Sequence, residues 1–400
     1  MLPSVKIIYE NGALGSVAPS ADGTMGLVAT GTAVSGKFEL TKAYILRSLE
    51  SLVDLGITAE ASDKNAHIYK FVREFYAEAG AGAELWLMAF AGTLKQSDLV
   101  DQTKNTARQL ILEANGRLRG LAVVCNPPNN YTPTIENGLD KDVALAMLNA
   151  QKLADWATNS LFAPIFVLLE GRSYNGNPVD LADLTEFGHN RVGVLIGDTV
   201  ANSKGSSMGL LAGRVATIPV QRKVARVKDG AVRALQLFIK DRLAELADVE
   251  SIHNKGYITF RTFVGKAGYF FTDDNLATRI ADDYRSLARR RTIDKAYRIA
   301  YLTLIEELND EIPVMDNGEL VPAMVKSWQT TVESAIANQM TSQGNLGTDP
   351  TNPQDTGVQC FIDHRQNIVA TSRMEVSLKV KPYGYAKFIE VKLGFKTLNS

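Results

Sequence analysis

Five short apolar runs in the first half of the chain constrain its fold more than any other feature. They are Met25–Thr30 (MGLVAT), Leu85–Phe90 (LWLMAF), Leu121–Cys125 (LAVVC), Ile165–Leu169 (IFVLL) and Val192–Ile196 (VGVLI). Continuous apolar strands of this length read as buried on both faces, the pattern of a parallel sheet covered by helices. The stretches between them carry helical periodicity. Thr41–Leu55 sets Tyr44, Ile45, Leu49, Leu52 and Leu55 on one stripe and stops at Gly56. Asp63 is placed to cap a helix bearing Ile68, Phe71, Val72 and Phe75, which stops at Gly80. Ser97–Asn115, Lys141–Asn159 and Leu181–His189 complete the helical series. The expected fold class is α/β, an open, mostly parallel sheet with helices on both faces over residues 23–213, with right-handed crossovers.

After Gly213 the pattern changes to a smaller α+β domain, expected over residues 214–367. Val215–Val227 carries Pro219 and reads as a linker or edge strand. A helix is expected at Ala231–Ala247 and a strand pair at Tyr257–Phe263 with Gly268–Phe271 around Gly265 and Lys266. Further helices are expected over Asn275–Asp310 and Pro322–Met340, then a polar loop over Thr341–Asp355. Residues 368–400 read as two amphipathic strands. Met374, Val376, Leu378 and Val380 form the apolar face of the first, and Ile389, Val391, Leu393 and Phe395 that of the second. Lys381–Gly384 supplies turn chemistry, so a hairpin is expected. Terminal segments fray unless something holds them. The last strand therefore either closes the chain's own sheet or pairs with another chain by strand addition. At the other end, residues 1–22 read as an arm: Val5, Ile7 and Tyr9 alternate within VKIIY, ahead of the Gly-, Ala- and Ser-rich stretch Asn11–Gly23.

Composition excludes several function classes. The 400 residues include 43 Lys and Arg against 44 Asp and Glu, a net charge of -1. Binding to nucleic acid or to an anionic membrane normally shows a basic excess. No apolar run reaches the ~18 residues of a membrane span, and the N-terminus lacks the features of a signal peptide. Two cysteines, Cys125 and Cys360, make no disulfide framework and suit a reducing cytoplasm.

Candidate chemistry is thin. Gly31–Lys37 has the Gly and Lys spacing of a phosphate-binding loop, but Phe38 stands where a Mg²⁺-ligating hydroxyl is needed. Gly205–Gly209 fits G-x-S-x-G with Ser207 as the nucleophile of a serine hydrolase, and His253 and His364 follow it. The loop from Gly197 to Lys204 is too long for a nucleophile elbow, and Ser206 or Ser207 reads more simply as a helix cap. The four histidines and two cysteines show no metal spacing, so neither metal nor cofactor is expected. Asp273 and Asp274 suit a helix N-terminus, while Asp282 and Asp283 are expected to face Arg285 and Arg279. The densest basic run is Arg289, Arg290, Arg291, Lys295 and Arg298, a solvated helix face or a surface for an acidic partner. The absence of a convincing active site favours a structural or assembly role.

The order of segments resembles the contractile sheath proteins of phage tails and phage-like injection systems. Gly26–Gly56 is similar to the family's opening strand, glycine loop and first helix, and Met208–Gly230 to its small-residue helix and connector. Lys255–Thr278 resembles its strand, glycine turn and acidic loop, and Tyr284–Leu308 its helix rich in Arg, Ile and Leu. The closing strands Met374–Phe395 complete the likeness, and a large inserted outer domain is lacking. The resemblance implies a non-enzymatic subunit that polymerises around an inner tail tube protein, meets baseplate and tail terminator proteins, and contracts from a metastable extended state. It implies synthesis in a bacterial cytoplasm and a final place in a virion tail or injection particle, with neither membrane insertion nor nucleic acid. It also implies that Val5, Ile7 and Tyr9 and Ile389, Val391, Leu393 and Phe395 are intersubunit strands, with Arg289, Arg290, Lys295 and Arg298 as a tube-facing surface.

Overall fold

A computed structural model describes residues 21–60, 64–126 and 130–393. The five apolar runs form β1 (Met25–Gly31), β3 (Leu85–Ala91), β4 (Gly120–Val124), β5 (Phe166–Glu170) and β6 (Val192–Leu195). With β2 (Tyr44–Leu46) they make one six-stranded sheet, in the order β2-β3-β1-β4-β5-β6. All pairings are parallel except that of the edge strand β2 with β3. β1, β4, β5 and β6 are buried at every position, as continuous apolar runs require.

The helices are shorter than their periodicity suggests. α1 covers only Leu49–Asp54, capped by Ser48, because the first part of the expected Thr41–Leu55 helix pairs with β3 as β2. α2 (Ala66–Ala79) follows Asn65 and ends at Gly80, whose φ of 75° favours glycine; Asp63 lies outside the described residues. The expected Ser97–Asn115 helix is two pieces, α3 (Gln96–Leu99) and α4 (Ala107–Glu113). Between them Asp101 accepts the Thr103 amide at 2.9 Å, a side-chain bond that competes with helix continuation. α5 (Asp142–Leu161) is the long helix expected there, and α6 is Met208–Thr217. α6 lies directly on α2: a Cβ at Gly209 or Gly213 would come within 2.5 Å of the Phe71 or Phe75 carbonyl oxygen.

Two further helices differ from expectation. Ala231–Ala247 is irregular, with a tight hairpin pairing Phe238–Ile239 and Arg242–Leu243 through Lys240 at φ 64°. The expected strand pair is present as β7 (Phe260–Phe263) and β8 (Lys266–Phe271). α7 covers Leu287–Leu304 rather than starting at Asn275, because Ala277–Thr278 pairs with Gly188–His189. That pairing also replaces the end of the expected Leu181–His189 helix, leaving one turn at Leu184–Glu186. The Asp274 carboxylate accepts the Ala288 amide at the α7 N-terminus, the helix-end role expected of it. Asp282 instead accepts from Asn190, Thr278 and the Tyr284 amide, not from the arginines expected to face it.

The chain divides into two compact units, residues 1–302 and 303–400. In the second, α8 (Pro322–Ile336) buries Val325, Trp328, Val332 and Ile336. Trp328 also donates to Glu307 at 2.8 Å. β9 (Val358–Ile362) pairs antiparallel with β10 (Val376–Val380), and these two strands make the whole of their sheet among the described residues. The hairpin expected between residues 374–380 and 389–395 is therefore corrected. β10 turns back onto β9, and Phe388–Leu393 has no regular structure.

Candidate assembly interface and buried polar junction

β9 and β10 are built from strict alternation. Val358, Cys360 and Ile362 share one face with Val376, Leu378 and Val380, while Gln359, Phe361, Ser377 and Lys379 share the exposed face. The hydrogen-bond parity is fixed at two points. The Cys360 amide donates to Glu333 at 2.8 Å, so it turns away from β10. The Lys381 amide donates to the Gly357 carbonyl at 2.8 Å. Hydrogen-bonded pairs alternate along an antiparallel ladder, so Val376, Leu378 and Val380 send their amides and carbonyls to the outer edge of β10. No strand covers that edge among the described residues. Glu333 occupies part of the opposite edge.

Beyond β10 the chain is anchored and then released. Lys381 pairs with Asp355 at 2.9 Å, and its carbonyl accepts the Gly347 amide. Hydrogen bonds from Lys381 and from the amides of Gly357 and Asp349 hold the Asp355 carboxyl at about 2, below the usual range. Downstream, Ile389, Val391 and Leu393 are 81%, 77% and 95% exposed. Phe395 and the arm residues Val5, Ile7 and Tyr9 lie outside the described residues.

The basic run is corrected: its members serve the interior of the first unit. Arg290 is buried and pairs with Asp294 one turn along α7 at 2.7 Å, and Arg191 reaches the same carboxylate at 3.1 Å. Buried Arg291 donates to the Val215 and Ile218 carbonyls at the C-terminal end of α6. Buried Lys295 pairs with Asp22 at 2.7 Å, and half-buried Arg298 approaches the same residue. Arg289 is half-buried, its guanidinium donating to the Asp283 carbonyl. Burial pushes Arg291 and Arg298 down to about 10. Side chains so enclosed do not make a tube-facing surface.

The hydrolase and phosphate-loop readings also fail on geometry. Gly31–Lys37 leads into a tight turn bridging Val34 and Phe38, with no helix after it and with Phe38 fully buried. Ser207 is completely buried. Its hydroxyl accepts the Thr199 amide at 2.9 Å and meets Glu74, Asp198 and Lys70 at 3.1–3.3 Å; no histidine is among its partners. It does not cap α6 with its side chain either.

What occupies the carboxyl ends of the parallel strands is a junction of charged side chains. Glu170, the last residue of β5, accepts the Ser206 amide at 3.0 Å with one oxygen and the Cys125 amide at 3.0 Å with the other. Arg172 donates to that second oxygen at 2.9 Å and to the Cys125 carbonyl. In enzymes of this architecture the place beside a helix N-terminus receives a ligand's anion. Here Glu170 fills it, tying β4, β5 and the start of α6 together. Lys70 from α2 bridges Glu74 and Asp198 at 2.9 Å each. Burial alone would lower its pKa, and the two carboxylates outweigh burial and raise it. Burial pushes the Cys125 thiol up to about 12, far from a reactive thiolate. The sequence reading missed this junction. Its signal was the pair Glu170 and Arg172 directly after a fully apolar strand.

The fold is that of contractile sheath proteins. A chain from the anti-feeding prophage baseplate matches at 15% identity with a TM-score of 0.63, covering 99% of each chain. The sheath complex of the extracellular contractile injection system PVC, in its contracted state, matches at 15% identity with a TM-score of 0.60, over 99% of this chain and 98% of that one. The sheath tail protein Lin1278 from Listeria innocua matches at 12% identity with a TM-score of 0.52, over 92% of each. The chain itself belongs to the DUF2586 family, whose N-terminal domain model matches residues 2–275 and whose C-terminal domain model matches residues 283–400. No curated protein sequence matches it. Among the described residues no helix is long and apolar enough to cross a membrane.

Proposed function

We propose that this chain is the structural subunit of a contractile sheath, polymerising around an inner tube by strand exchange and contracting from a metastable extended state. One observation carries the reading. An unpaired, half-apolar strand edge on β10 and an exposed alternating segment, Phe388–Leu393, occur in one chain of sheath fold. Backbone ladders supply affinity in strand addition, and alternate side chains supply register. The terminal segments at 1–22 and 381–400 are the arms of this reading, donated to the two-stranded sheet of neighbouring copies. A two-stranded sheet is marginal by itself and gains from added strands.

Helices covering both faces of the six-stranded sheet suit a subunit whose body moves as a block while its arms keep the lattice connected. Consistent with this, a Cβ on Gly26 would touch Leu110 of α4, whereas one on Gly31 would touch Ile68 of α2. Inner tube, baseplate and terminator proteins are its partners in this reading, and the subunit works without catalysis.

The test is deletion of residues 388–400, read by negative-stain electron microscopy and circular dichroism. The full chain forms tubes or rings, while the truncated chain stays monomeric with native secondary structure. Tubes from the truncated chain refute the arm assignment. A full chain that stays monomeric under all assembly conditions refutes the sheath reading.

A further inference from the structure

The end of α5 carries a backbone outlier. Phe162 sits at φ 53° and ψ 27°, the left-handed region in which a helix end normally places glycine. A bulky side chain there is strained, and such a position is held where the side chain has a use that glycine lacks. Part of that use is visible. The Phe162 ring stacks on Tyr301 of α7, with centroids 4.9 Å apart and planes within 10° of parallel. The stack is unfinished, because Phe162 is still 44% exposed and Tyr301 only half-buried.

The chain's own N-terminal segment joins the body at this place. Asp22 is pinned by Lys295 at 2.7 Å and by Arg298 at 3.8 Å. Arg298 in turn donates to the carbonyl of Pro164 at 3.4 Å, two residues beyond Phe162. Arg298 and Tyr301 are three residues apart on α7, a spacing that sets side chains on one face with Cβ atoms about 5–6 Å apart. Residues 1–20 lie outside the described residues, so the turn Ala21–Gly23 marks where they enter. Their composition supplies two anchors. From Asn11 to Gly23 every residue is small or polar except Leu14, Val17 and Pro19. Leu14 and Val17 precede Asp22 by eight and five residues, and an extended chain of that length spans roughly 16–26 Å. On these contacts, both side chains reach the rings.

We propose that the Phe162–Tyr301 stack is the seat of the chain's own N-terminal segment, with Leu14 and Val17 laid on the rings. Burial of two aliphatic side chains and of the exposed ring surface supplies the free energy. The tether at Asp22 makes the contact intramolecular, so a weak apolar affinity suffices. The seat goes beyond the sheath reading and does not depend on it. Where that reading holds, the seat fixes the root of the arm on α5 and α7, and residues 1–13 are the part that reaches a neighbour.

Photocrosslinking of the full, unassembled chain tests this, with p-benzoylphenylalanine in place of Phe162. Mixing isotopically labelled and unlabelled chains separates links within a chain from links between chains. The proposal expects links within one chain, mapped by mass spectrometry to residues 13–19. Leu14→Ser together with Val17→Ser lowers their yield roughly tenfold and leaves the circular dichroism unchanged. A second variant needs no probe: Phe162→Gly relieves the backbone, removes the ring and speeds thermolysin cleavage beside Leu14 and Val17 about threefold or more. Links mainly between chains assign the surface to a second copy and overturn the proposal. Links only to other segments, no links at all, a yield unchanged in the double variant, or an unchanged cleavage rate overturn it too.

Discussion

The six-stranded sheet and the β9-β10 pair use similar residues to opposite ends. In β4 and β5 every position is buried, and the charged groups at the strand ends are matched within the subunit: Glu170 serves two amides and Arg172. In β9 and β10 the same apolar residue types cover only one face, Phe361 stands 57% exposed, and the amides of one edge point outward. A parallel sheet within crossover helices is complete inside one chain. An antiparallel pair with an open edge is a template for more strands, and proteins that do not want that outcome blunt such edges. Within β10 Lys379 alone carries a charge, and the strand has neither proline nor bulge. The difference separates a sheet closed over by its own chain's helices from an edge left open to further strands among the described residues.

That contrast is broken most directly at the β10 edge. Leu378→Pro removes an edge-facing N–H, and Leu378→Ala removes the side chain but keeps the amide. The proline variant loses assembly completely in electron microscopy while the alanine variant still forms tubes. Equal behaviour of the two places the lattice contact elsewhere. In the first unit, Glu170→Ala strands buried Arg172 and two amides, costing about 3–5 kcal/mol by denaturant unfolding; a loss below 1 kcal/mol denies the junction its structural role. Gly213→Leu forces α6 away from the Phe75 carbonyl and costs about 1–3 kcal/mol.

The smallest effect is a slope. His67 is depressed to about 4 in the folded chain from 6.5, so the unfolded chain binds the proton first as pH falls. Its stabilising contribution is complete above pH 6.5 and is lost progressively toward pH 4, with a slope of at most about 1.4 kcal/mol per pH unit. His67→Asn flattens that part of the stability profile. An unchanged slope assigns it to other groups.

How much was legible follows from where the physics is local. All five parallel strands were readable, because burial on both faces forces an unbroken apolar run. α2 and α5 were readable for the same reason at helical period. Two of the misreadings share one cause. Tyr44–Leu46 and Ala277–Thr278 carry helical periodicity yet pair with strands distant in the chain, and tertiary pairing overrides weak propensity. The basic run of α7 contained one usable clue, Arg290 and Asp294 one turn apart. Asp22, which meets Lys295 and Arg298, gives none because 273 residues separate it from Lys295.

By itself, then, the sequence determined the α/β body and the alternating terminal segment, since each depends on residue type at short spacing. Tertiary structure decided which charges are interior, that Glu170 fills the place a ligand's anion takes in enzymes, and that β10 pairs with β9 rather than with Phe388–Leu393. Those outcomes depend on which distant segments meet. Alternation specifies a strand's two faces, but its edge partner is set by whichever backbone is brought alongside.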